Sequence, residues 1–184
     1  MRVHTTSLAG VHELELEPIY DERGYFARLY DREQFLELGL PGAVAQTSLS
    51  HNPLLGTLRG LHWQAAPGLE TKLVRAIRGR AYDVVVDLRP DSISFGQWQA
   101  FELSASEGRG LFIPPRCAHG FMTLEPDTQI LYQMSEAYRP ELVRALRWDD
   151  PDLAISWPIA PRSISPGDAA CPYMLRHIRR SLAA

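Results

Sequence analysis

The chain has 184 residues, 45% of them hydrophobic, with a formal net charge of -3 and a pI near 6.1. This length suits one domain, residues 1–184, and the weakly acidic balance lacks the basic excess that nucleic-acid binding requires. No apolar run suits a signal peptide or a membrane span, so we expect a cytoplasmic protein with no membrane partner and with Cys117 and Cys171 as reduced thiols.

The first predicted element is a short helix, DREQFLEL (residues 31–38). Asp31 can cap its N-terminus, Gln34 occupies the capping-box position, and Gly39 follows as a stop signal. We expect this helix to pack against a sheet.

Most of the chain after this helix has strand character. KLVRAI (72–77) and AYDVVVDLR (81–89) flank a turn at Gly79 and Arg80, which predicts a hairpin that closes at Pro90. Further strand-like runs are QWQAFELS (97–104), GLFIPP (110–115), GFMTLE (120–125) and TQILYQMSEAY (128–138). Strands separated by turn signals, with few helices between them, predict an all-β antiparallel sandwich or barrel, best described as a jelly roll.

Three polar residues lie in apolar surroundings and could be either structural or reactive. His62 lies in RGLHWQ (59–64), and an isolated histidine in such a setting is more often a hydrogen-bonded core residue. Tyr132 shares a strand face with Ile130 and Met134, so it is expected to point inward, as a core tyrosine or as a reactive one. Lys72 begins a strand, which favours extension of its ammonium into water.

A metal site is the next hypothesis, because small β-barrels often hold one and His62, Glu70 and His119 are available. Metal-binding cupins characteristically present an H-x-H pair followed by Glu. Here Trp63 and Gln64 follow His62, so the pair is absent and we expect no metal.

Seven motifs occur in a recognisable order: DERGYF, GTLRGLHWQ, KLVRAIRGRAYDVVVDLRPDS, FGQW, IPPRCAHGF, LYQMSEAY and ISPGDAACP. On these motifs the chain resembles the dTDP-4-dehydrorhamnose 3,5-epimerase family, and the match runs from roughly residue 10 to 172. The resemblance implies a jelly roll of the cupin superfamily that works as a homodimer without a metal or any other cofactor. It also favours a catalytic role for His62 over that of a hydrogen-bonded core residue.

The resemblance implies proton exchange at the carbons that flank the C4 ketone of a dTDP-4-keto-6-deoxyhexose, with inversion at C3 and C5. This chemistry needs a base on one face of the sugar, charge stabilisation at the carbonyl oxygen, and an acid on the other face. By similarity, His62 is the base and Asp168 orients it. Lys72 stabilises the enolate oxygen, and Tyr132 returns the proton.

The resemblance also implies a set of substrate-binding residues. Arg23, Arg59 and His119 match positions that hold the pyrophosphate and the sugar, and Tyr138 matches an aromatic residue that stacks on the nucleotide base. Trp63 is either a wall of the pocket or an ordinary core aromatic. The remaining members of the predicted substrate-binding set are Phe26, Arg28, Gln46 and Ser48.

Several positions depart from the family pattern. Arg28 replaces a usual glutamate, QTSLS (46–50) replaces Q-x-N-H-S, Val143 lies near an expected glutamate, and Gly167 replaces a lysine. An arginine has only donors, so Arg28 cannot accept a hydrogen bond from the thymine imide. The departures leave open epimerisation at C3 only or at C5 only, another nucleotide base, and neutral drift in an ordinary epimerase.

Three other classes of protein remain as alternatives. A related 3,4-ketoisomerase would not be expected to carry His62, Lys72, Tyr132 and Asp168 together. A metal-dependent cupin would retain its metal after purification, and a non-catalytic carbohydrate-binding jelly roll would need no base, acid and oxyanion donor. The resemblance further implies exchange of an N-terminal strand between subunits, a 4,6-dehydratase upstream and a ketoreductase downstream.

Overall fold

The computed structural model describes residues 1–173, so residues 174–184, the end of the predicted domain, lie outside the described residues. Two short helices are present, α1 (Arg32–Glu37) and α2 (Pro166–Ala169), together with a 3-10 turn at Pro140–Leu142. The strands are β1 (Arg2–Thr5), β2 (His12–Glu15), β3 (Ile19–Asp21), β4 (Gly24–Phe26), β5 (Gln46–Asn52), β6 (Thr57–Gln64), β7 (Lys72–Arg78), β8 (Arg80–Asp87), β9 (Trp98–Ser104), β10 (Gly110–Ile113), β11 (Cys117–Thr123), β12 (Thr128–Met134), β13 (Val143–Ala145) and β14 (Ser163–Ile164).

The strands form two large sheets and one separate ribbon. Sheet I has the order β1-β2-β10-β7-β12-β5, and sheet II has the order β13-β6-β11-β8-β9, with β14 parallel to β6. Strands β3 and β4 pair with each other as a two-stranded ribbon. The prediction of an all-β antiparallel sandwich with few helices is therefore confirmed.

The main core lies between the two sheets. Val74 and Ile130 of sheet I belong to the same buried cluster as Val85 and Phe121 of sheet II, and each is at most 1% exposed. Strand alternation places every second side chain of β7 and β12 in this layer. The same alternation directs Tyr132 inward, as predicted, where its ring packs against the cluster.

Helix α1 forms where the sequence predicts it. The Asp31 carboxylate accepts hydrogen bonds from the backbone N–H groups of Glu33, at 3.0 Å, and Gln34, at 3.2 Å. The helix ends before Gly39, whose φ of +72° suits glycine. Phe35 is 2% exposed and packs in a cluster on sheet I with Phe112, so the predicted packing on a sheet is confirmed.

The predicted hairpin of residues 72–89 is wrong. Strand β7 pairs with β10 and β12 in sheet I, whereas β8 pairs with β11 and β9 in sheet II. Gly79, at φ +69°, redirects the chain from one sheet to the other, and a Cβ there would lie 2.5 Å from Thr128 Oγ1. Both strands are largely buried, and an apolar run does not specify its partner strand.

A second apolar layer covers the outer face of sheet II. Leu61 and Val86 point into this layer, and Leu146 and Leu153 of the C-terminal segment cover them. Leu61 and Leu146 exchange two backbone hydrogen bonds, of 3.2 and 2.9 Å. The segment then returns along β6 as β14, so that α2 starts beside the middle of β6.

No helix within residues 1–173 combines the length and apolar character needed to cross a membrane. Both cysteines are free in this part of the chain. Burial is the main reason why the pKa of the Cys117 thiol is raised to about 12, so this thiol stays protonated.

A buried carboxylate at the end of β8 organises the loop that follows. Asp87 accepts hydrogen bonds from the Arg89 guanidinium, at 2.9 and 2.7 Å, from Ser94 Oγ, at 2.6 Å, and from Ser92 Oγ. Burial alone would raise the pKa of Asp87, but the hydrogen bonds from Arg89, Ser92 and Ser94 outweigh it and lower the pKa to about 2.

We predict that Asp87→Asn removes part of the acid sensitivity of the fold. The folded-state pKa of Asp87 lies below its ordinary value, so its stabilisation is present above about pH 4 and is lost as the pH falls towards 2. Urea unfolding at several pH values should show Asp87→Asn less stable by about 2 kcal/mol at pH 7, with the difference shrinking towards pH 2. Asp91→Asn, at an exposed position, is the control. A difference that is constant across this range would contradict the prediction.

Candidate active site

One cavity of about 710 Å³ opens between the two sheets and receives side chains from both. Its size is within the usual range for small-molecule sites. The structure brings together most of the residues that the sequence predicts for a site. Those that line the cavity are Ser48, Arg59, His62, Trp63, Lys72, His119, Tyr132, Tyr138 and Asp168.

A bulge in β6 decides which of its side chains face the cavity. His62 pairs with His119 of β11, and Arg59 pairs with Phe121, so β6 has one residue more than β11 over this interval. Without the extra residue, side chains three positions apart would lie on opposite faces of the sheet. With it, Arg59 and His62 both line the cavity, while Leu61 is buried in the outer layer.

The bulge requires glycine at position 60. Gly60 has a φ of +104°, and a Cβ there would lie 2.6 Å from the His119 carbonyl oxygen and 2.8 Å from Gly120 Cα. Real Cβ atoms do not approach other atoms so closely, and positive φ is costly for any other residue. The glycine in RGLHWQ therefore sets the position of the histidine that follows it.

His62 is held by a carboxylate from the C-terminal segment. Its Nε2 lies 2.7 Å from Asp168 Oδ1, and Asp168 Oδ2 accepts a 3.3 Å hydrogen bond from the Gly60 N–H. Burial by itself raises the pKa of Asp168, but the hydrogen bond and charge of His62 and the Gly60 N–H outweigh it, so the net pKa is lowered. Ionised Asp168 can only accept, so Nε2 carries the proton and Nδ1 is free to act as a base.

Lys72 does not extend into water. The expectation based on its position at the start of a strand is therefore wrong. Its side chain is 13% exposed, and its Nζ lies 3.2 Å from Glu70 Oε1. Nζ also donates a 3.2 Å hydrogen bond to the His62 carbonyl oxygen. A carboxylate and a carbonyl oxygen thus replace water at the ammonium, which keeps it at the cavity wall beside His62.

Tyr132 enters the cavity from sheet I. Its ring lies edge-on to that of His119, with the centroids 6.0 Å apart. Burial, with a smaller contribution from the charge of Asp83, raises the pKa of Tyr132 well above its usual value. The phenol is therefore protonated at neutral pH and can act as an acid.

His119 forms a second histidine–carboxylate pair, deeper in the fold. Its Nε2 lies 3.0 and 2.9 Å from the two carboxylate oxygens of Asp83, which has no exposed surface. Burial is the largest influence on the pKa of Asp83 and raises it, although His119 and Lys72 act in the opposite direction. The pair leaves Nδ1 of His119 for contact with a ligand.

The other predicted binding residues in the cavity have different environments. Arg59 Nε donates a 2.8 Å hydrogen bond to Asn52 Oδ1, which fixes its stem. Tyr138 is 62% exposed, so its ring face is accessible, and its backbone N–H donates to Gln46 Oε1 at 2.7 Å. Trp63 borders the cavity while its ring packs against the outer apolar layer, so it has both of the proposed roles.

Four predicted binding residues do not line this cavity. Arg23 and Phe26 lie on the exposed β3–β4 ribbon, where Arg23 pairs with Asp21. Arg28 follows this ribbon and pairs with Asp31 at 2.9 Å. Gln46, the fourth, contributes only through its hydrogen bond to the backbone of Tyr138. Within one chain, Arg23, Phe26 and Arg28 therefore lie away from the cavity, and Gln46 supports the backbone of Tyr138.

Three polar residues that the sequence does not assign to the site contact the predicted site residues. Asp83 is a charged residue inside the apolar run AYDVVVD, which is a signal of a buried partner. Glu70 was considered only as a metal ligand, but the structure shows it paired with Lys72. Ser165 gives no such signal, and its Oγ accepts from the Asp168 N–H at 3.0 Å as the cap of α2.

The histidine and carboxylate side chains of the cavity are engaged in pairs. Within residues 1–173, no group of three or more His, Cys, Asp or Glu side chains is arranged to hold a metal ion. What the cavity does offer is a free imidazole nitrogen, an ammonium, a protonated phenol and a guanidinium around one open space. These groups can move a proton beside a carbonyl group and bind an anion.

Comparison with known proteins gives consistent results. A family model described as dTDP-4-dehydrorhamnose 3,5-epimerase matches residues 5–175. A dTDP-4-dehydrorhamnose 3,5-epimerase of Methanothermobacter thermautotrophicus is 42% identical over 154 residues, which cover 84% of this chain and 82% of the relative. A dTDP-4-dehydrorhamnose 3-epimerase of Streptomyces niveus is 34% identical, over 91% of this chain and 81% of the relative.

Among solved structures, the dTDP-4-dehydrorhamnose 3,5-epimerase of Bacillus anthracis, with TDP and PPi bound, superposes with a TM-score of 0.90. It is 37% identical to this chain, and the match covers 93% of this chain and 98% of that one. The sandwich and the order of its elements are therefore those of known epimerases.

We predict that Gly60→Ala destabilises the protein by about 3 kcal/mol, because the new Cβ meets the His119 carbonyl oxygen while φ remains positive. Gly39→Ala is the matched control, since its φ is also positive but nothing lies within 4 Å of the new Cβ. The control should lose only about 1 kcal/mol. Thermal unfolding measures both, and equal losses would show that the close approach of β6 and β11 is not a constraint.

Proposed function

Because the chain belongs to the dTDP-4-dehydrorhamnose 3,5-epimerase family and is thus an isomerase, we propose that it epimerises a dTDP-4-keto-6-deoxyhexose at C3 and C5. The reaction removes a proton from a carbon next to the C4 ketone and returns one to the opposite face. The residues needed for both steps line one cavity.

In this reaction His62 is the base. Nδ1 takes the proton from the sugar carbon, since Nε2 already donates to Asp168. The imidazolium that forms is stabilised by the carboxylate at 2.7 Å, which also fixes the tautomer and the ring orientation. Asp168 thus orients His62 and stabilises its protonated form without touching the substrate.

Lys72 stabilises the enolate that results. Its ammonium donates to the C4 oxygen as negative charge develops there, in a cavity from which water is partly excluded. Tyr132 then gives its phenolic proton to the carbon. The raised pKa of Tyr132 supports this role, because a phenol at neutral pH is a proton donor.

One observation carries the proposal. His62 belongs to β6 of sheet II, whereas Tyr132 belongs to β12 of sheet I, so the base and the acid enter the cavity from opposite walls. A sugar held between them is deprotonated on one face and reprotonated on the other. This arrangement produces inversion and not simple exchange.

The nucleotide is bound by the cationic and aromatic groups of the cavity. Arg59 offers its terminal nitrogens to the pyrophosphate, and Nδ1 of His119 is left to accept a hydrogen bond from a hydroxyl group of the sugar. Tyr138, with its exposed ring, is placed to stack on the base. The TDP held by the Bacillus anthracis relative supports a thymidine nucleotide as the ligand.

A second candidate is epimerisation at one carbon only. The Streptomyces niveus relative is a 3-epimerase, and Val143, a departure from the family pattern, lines the cavity of this chain. The same base and acid would serve this reaction, so the two candidates differ only in which carbon the cavity presents to them.

We predict that proton NMR in D2O, with dTDP-4-keto-6-deoxyglucose, shows loss of both the C3 and the C5 proton signals. His62→Ala should abolish exchange, and Lys72→Met should slow it by about 100-fold to 1000-fold, as expected for loss of one oxyanion donor. Tyr132→Phe should still exchange protons but fail to invert, because the base remains and the acid is lost. Tyr82→Phe is the control, since Tyr82 does not line the cavity and its hydroxyl donates to the Ser156 carbonyl oxygen.

The outcomes separate the candidates. Loss of one signal would identify a monoepimerase, and retention of both, with the nucleotide bound, would indicate a non-catalytic sugar-binding protein and refute the proposal. The same experiment with a uridine nucleotide sugar tests which nucleobase the site accepts. Equal exchange rates with the two substrates would argue against selectivity for thymine.

We further propose that the protein is a homodimer in the cytoplasm. The β3–β4 ribbon exposes Ile19, Tyr20, Tyr25 and Phe26, each more than 60% accessible, and an apolar surface of this kind favours association. In sheet I, β5 is an edge strand that pairs only with β12 among the described residues, and Leu49 on it is 55% exposed. Free cysteines and a nucleotide-sugar substrate fit the cytoplasm.

In this dimer the ribbon of one protomer lies along the β5 edge of its partner. Ser48 of β5 lines the cavity and pairs with Tyr132, so the edge is next to the site. The arrangement would bring Arg23, Phe26 and Arg28 to the partner's cavity, which explains why residues with predicted binding roles are remote within one chain. Each site would then be shared by two chains.

We predict that Leu49→Lys weakens the dimer at least about tenfold, because it places a charge in an apolar interface. Analytical ultracentrifugation measures the change, and Ile93→Lys, at a 91% exposed loop position, is the control. Mixing Arg23→Ala chains with His62→Ala chains tests the shared site. A hybrid dimer has one site in which both residues are intact, so an equal mixture should restore about a quarter of the wild-type activity. A monomeric wild type, or no restoration on mixing, would refute this arrangement.

A further inference from the structure

We propose that Glu70 is a positioning residue of the epimerase reaction, which holds the Lys72 ammonium at the place where the enolate oxygen forms. The inference rests on the proposed function. Glu70 acts only through Lys72.

The contact between the two side chains is sheltered. Glu70 Oε1 lies 3.2 Å from Lys72 Nζ, and the side chains are 12% and 13% exposed. Both line the cavity. At a surface such a pair would be screened by water and salt, but here the carboxylate is the nearest anionic partner of an ammonium that faces the substrate.

The donors of Lys72 can be counted. An ammonium has three N–H groups, of which one is directed to the His62 carbonyl oxygen and one to Glu70. One donor then remains for the substrate. A lysine stem is flexible, so two anchors are needed to fix Nζ, and they come from different parts of the fold.

The backbone that carries Glu70 is itself fixed. Thr71, its neighbour, is 7% exposed, and its N–H donates to Ser135 Oγ at 2.8 Å. The Thr71 carbonyl oxygen accepts from the Ser135 N–H at 3.1 Å. These bonds tie the residues before β7 to the end of β12, so Glu70 is a rigid anchor for the ammonium.

Loss of Glu70 leaves the ammonium with a single anchor. Lys72 Nζ is then held only by its hydrogen bond to the His62 carbonyl oxygen. The flexible lysine stem then lets the ammonium leave the place where the enolate oxygen forms.

The test compares Glu70→Ala and Glu70→Gln by kcat and KM with dTDP-4-keto-6-deoxyglucose. Misplacement of a catalytic group by about 1 Å can cost about 100-fold, so we expect kcat to fall by about tenfold to 100-fold in Glu70→Ala, with KM within about threefold. Glu70→Gln keeps an oxygen acceptor of the same shape and should recover most of kcat. Glu107→Ala, at an exposed site, is the control.

A double-mutant cycle separates positioning from a structural role. On a Lys72→Met background, Glu70→Ala should have no further effect on the residual rate, because there is no ammonium left to hold. If wild type turns over and Glu70→Ala stays within about twofold of it, or if the loss persists on the Lys72→Met background, this inference falls while the proposed function stands. If wild type itself does not react, both fall.

Discussion

The site depends on the close approach of β6 to β11 at Gly60. At this bulge the β6 backbone passes so near the His119 carbonyl oxygen that no Cβ fits, and the alternation of side chains shifts by one position. Arg59 and His62 therefore face the same cavity, while Leu61 faces the outer layer. Through Leu61 the same bulge anchors Leu146 and the C-terminal segment. A steric constraint in the backbone thus decides which side chains of β6 face the cavity.

The second feature is the pairing of each reactive group with a group that fixes its protonation or position. Asp168 accepts from His62 Nε2 and leaves Nδ1 free for the proposed role as base, and Asp83 pairs with Nε2 of His119. Glu70 pairs with the ammonium of Lys72. For Tyr132, burial keeps the phenolic proton in place. In the proposed reaction these pairings hold the base and the cation in place, and burial keeps the acid protonated.

The sandwich divides these roles between its sheets. In the proposed reaction, sheet II supplies the base, α2 supplies its orienting carboxylate, and sheet I supplies the acid and the enolate-stabilising lysine. A flat substrate between two sheets is thereby exposed to different chemistry on its two faces. A site with its acid and base groups on one face of the substrate can exchange a proton, but inversion requires such groups on both faces. The exposed ribbon and the open edge of sheet I fit the proposal that a second chain completes the nucleotide end of the site.

The sequence alone determined the all-β class, helix α1 and nine of the residues that line the cavity, because strand alternation, capping and ordered motifs are local signals. It could not determine strand partners: the run of residues 72–89 reads as a hairpin, yet Gly79 passes it from one sheet to the other. Nor could it show that Lys72 is sheltered or that Asp83 supports His119, since both depend on contacts between distant segments. The tertiary structure alone decided these points, because burial and ion pairing arise only when separate strands are brought together around one cavity.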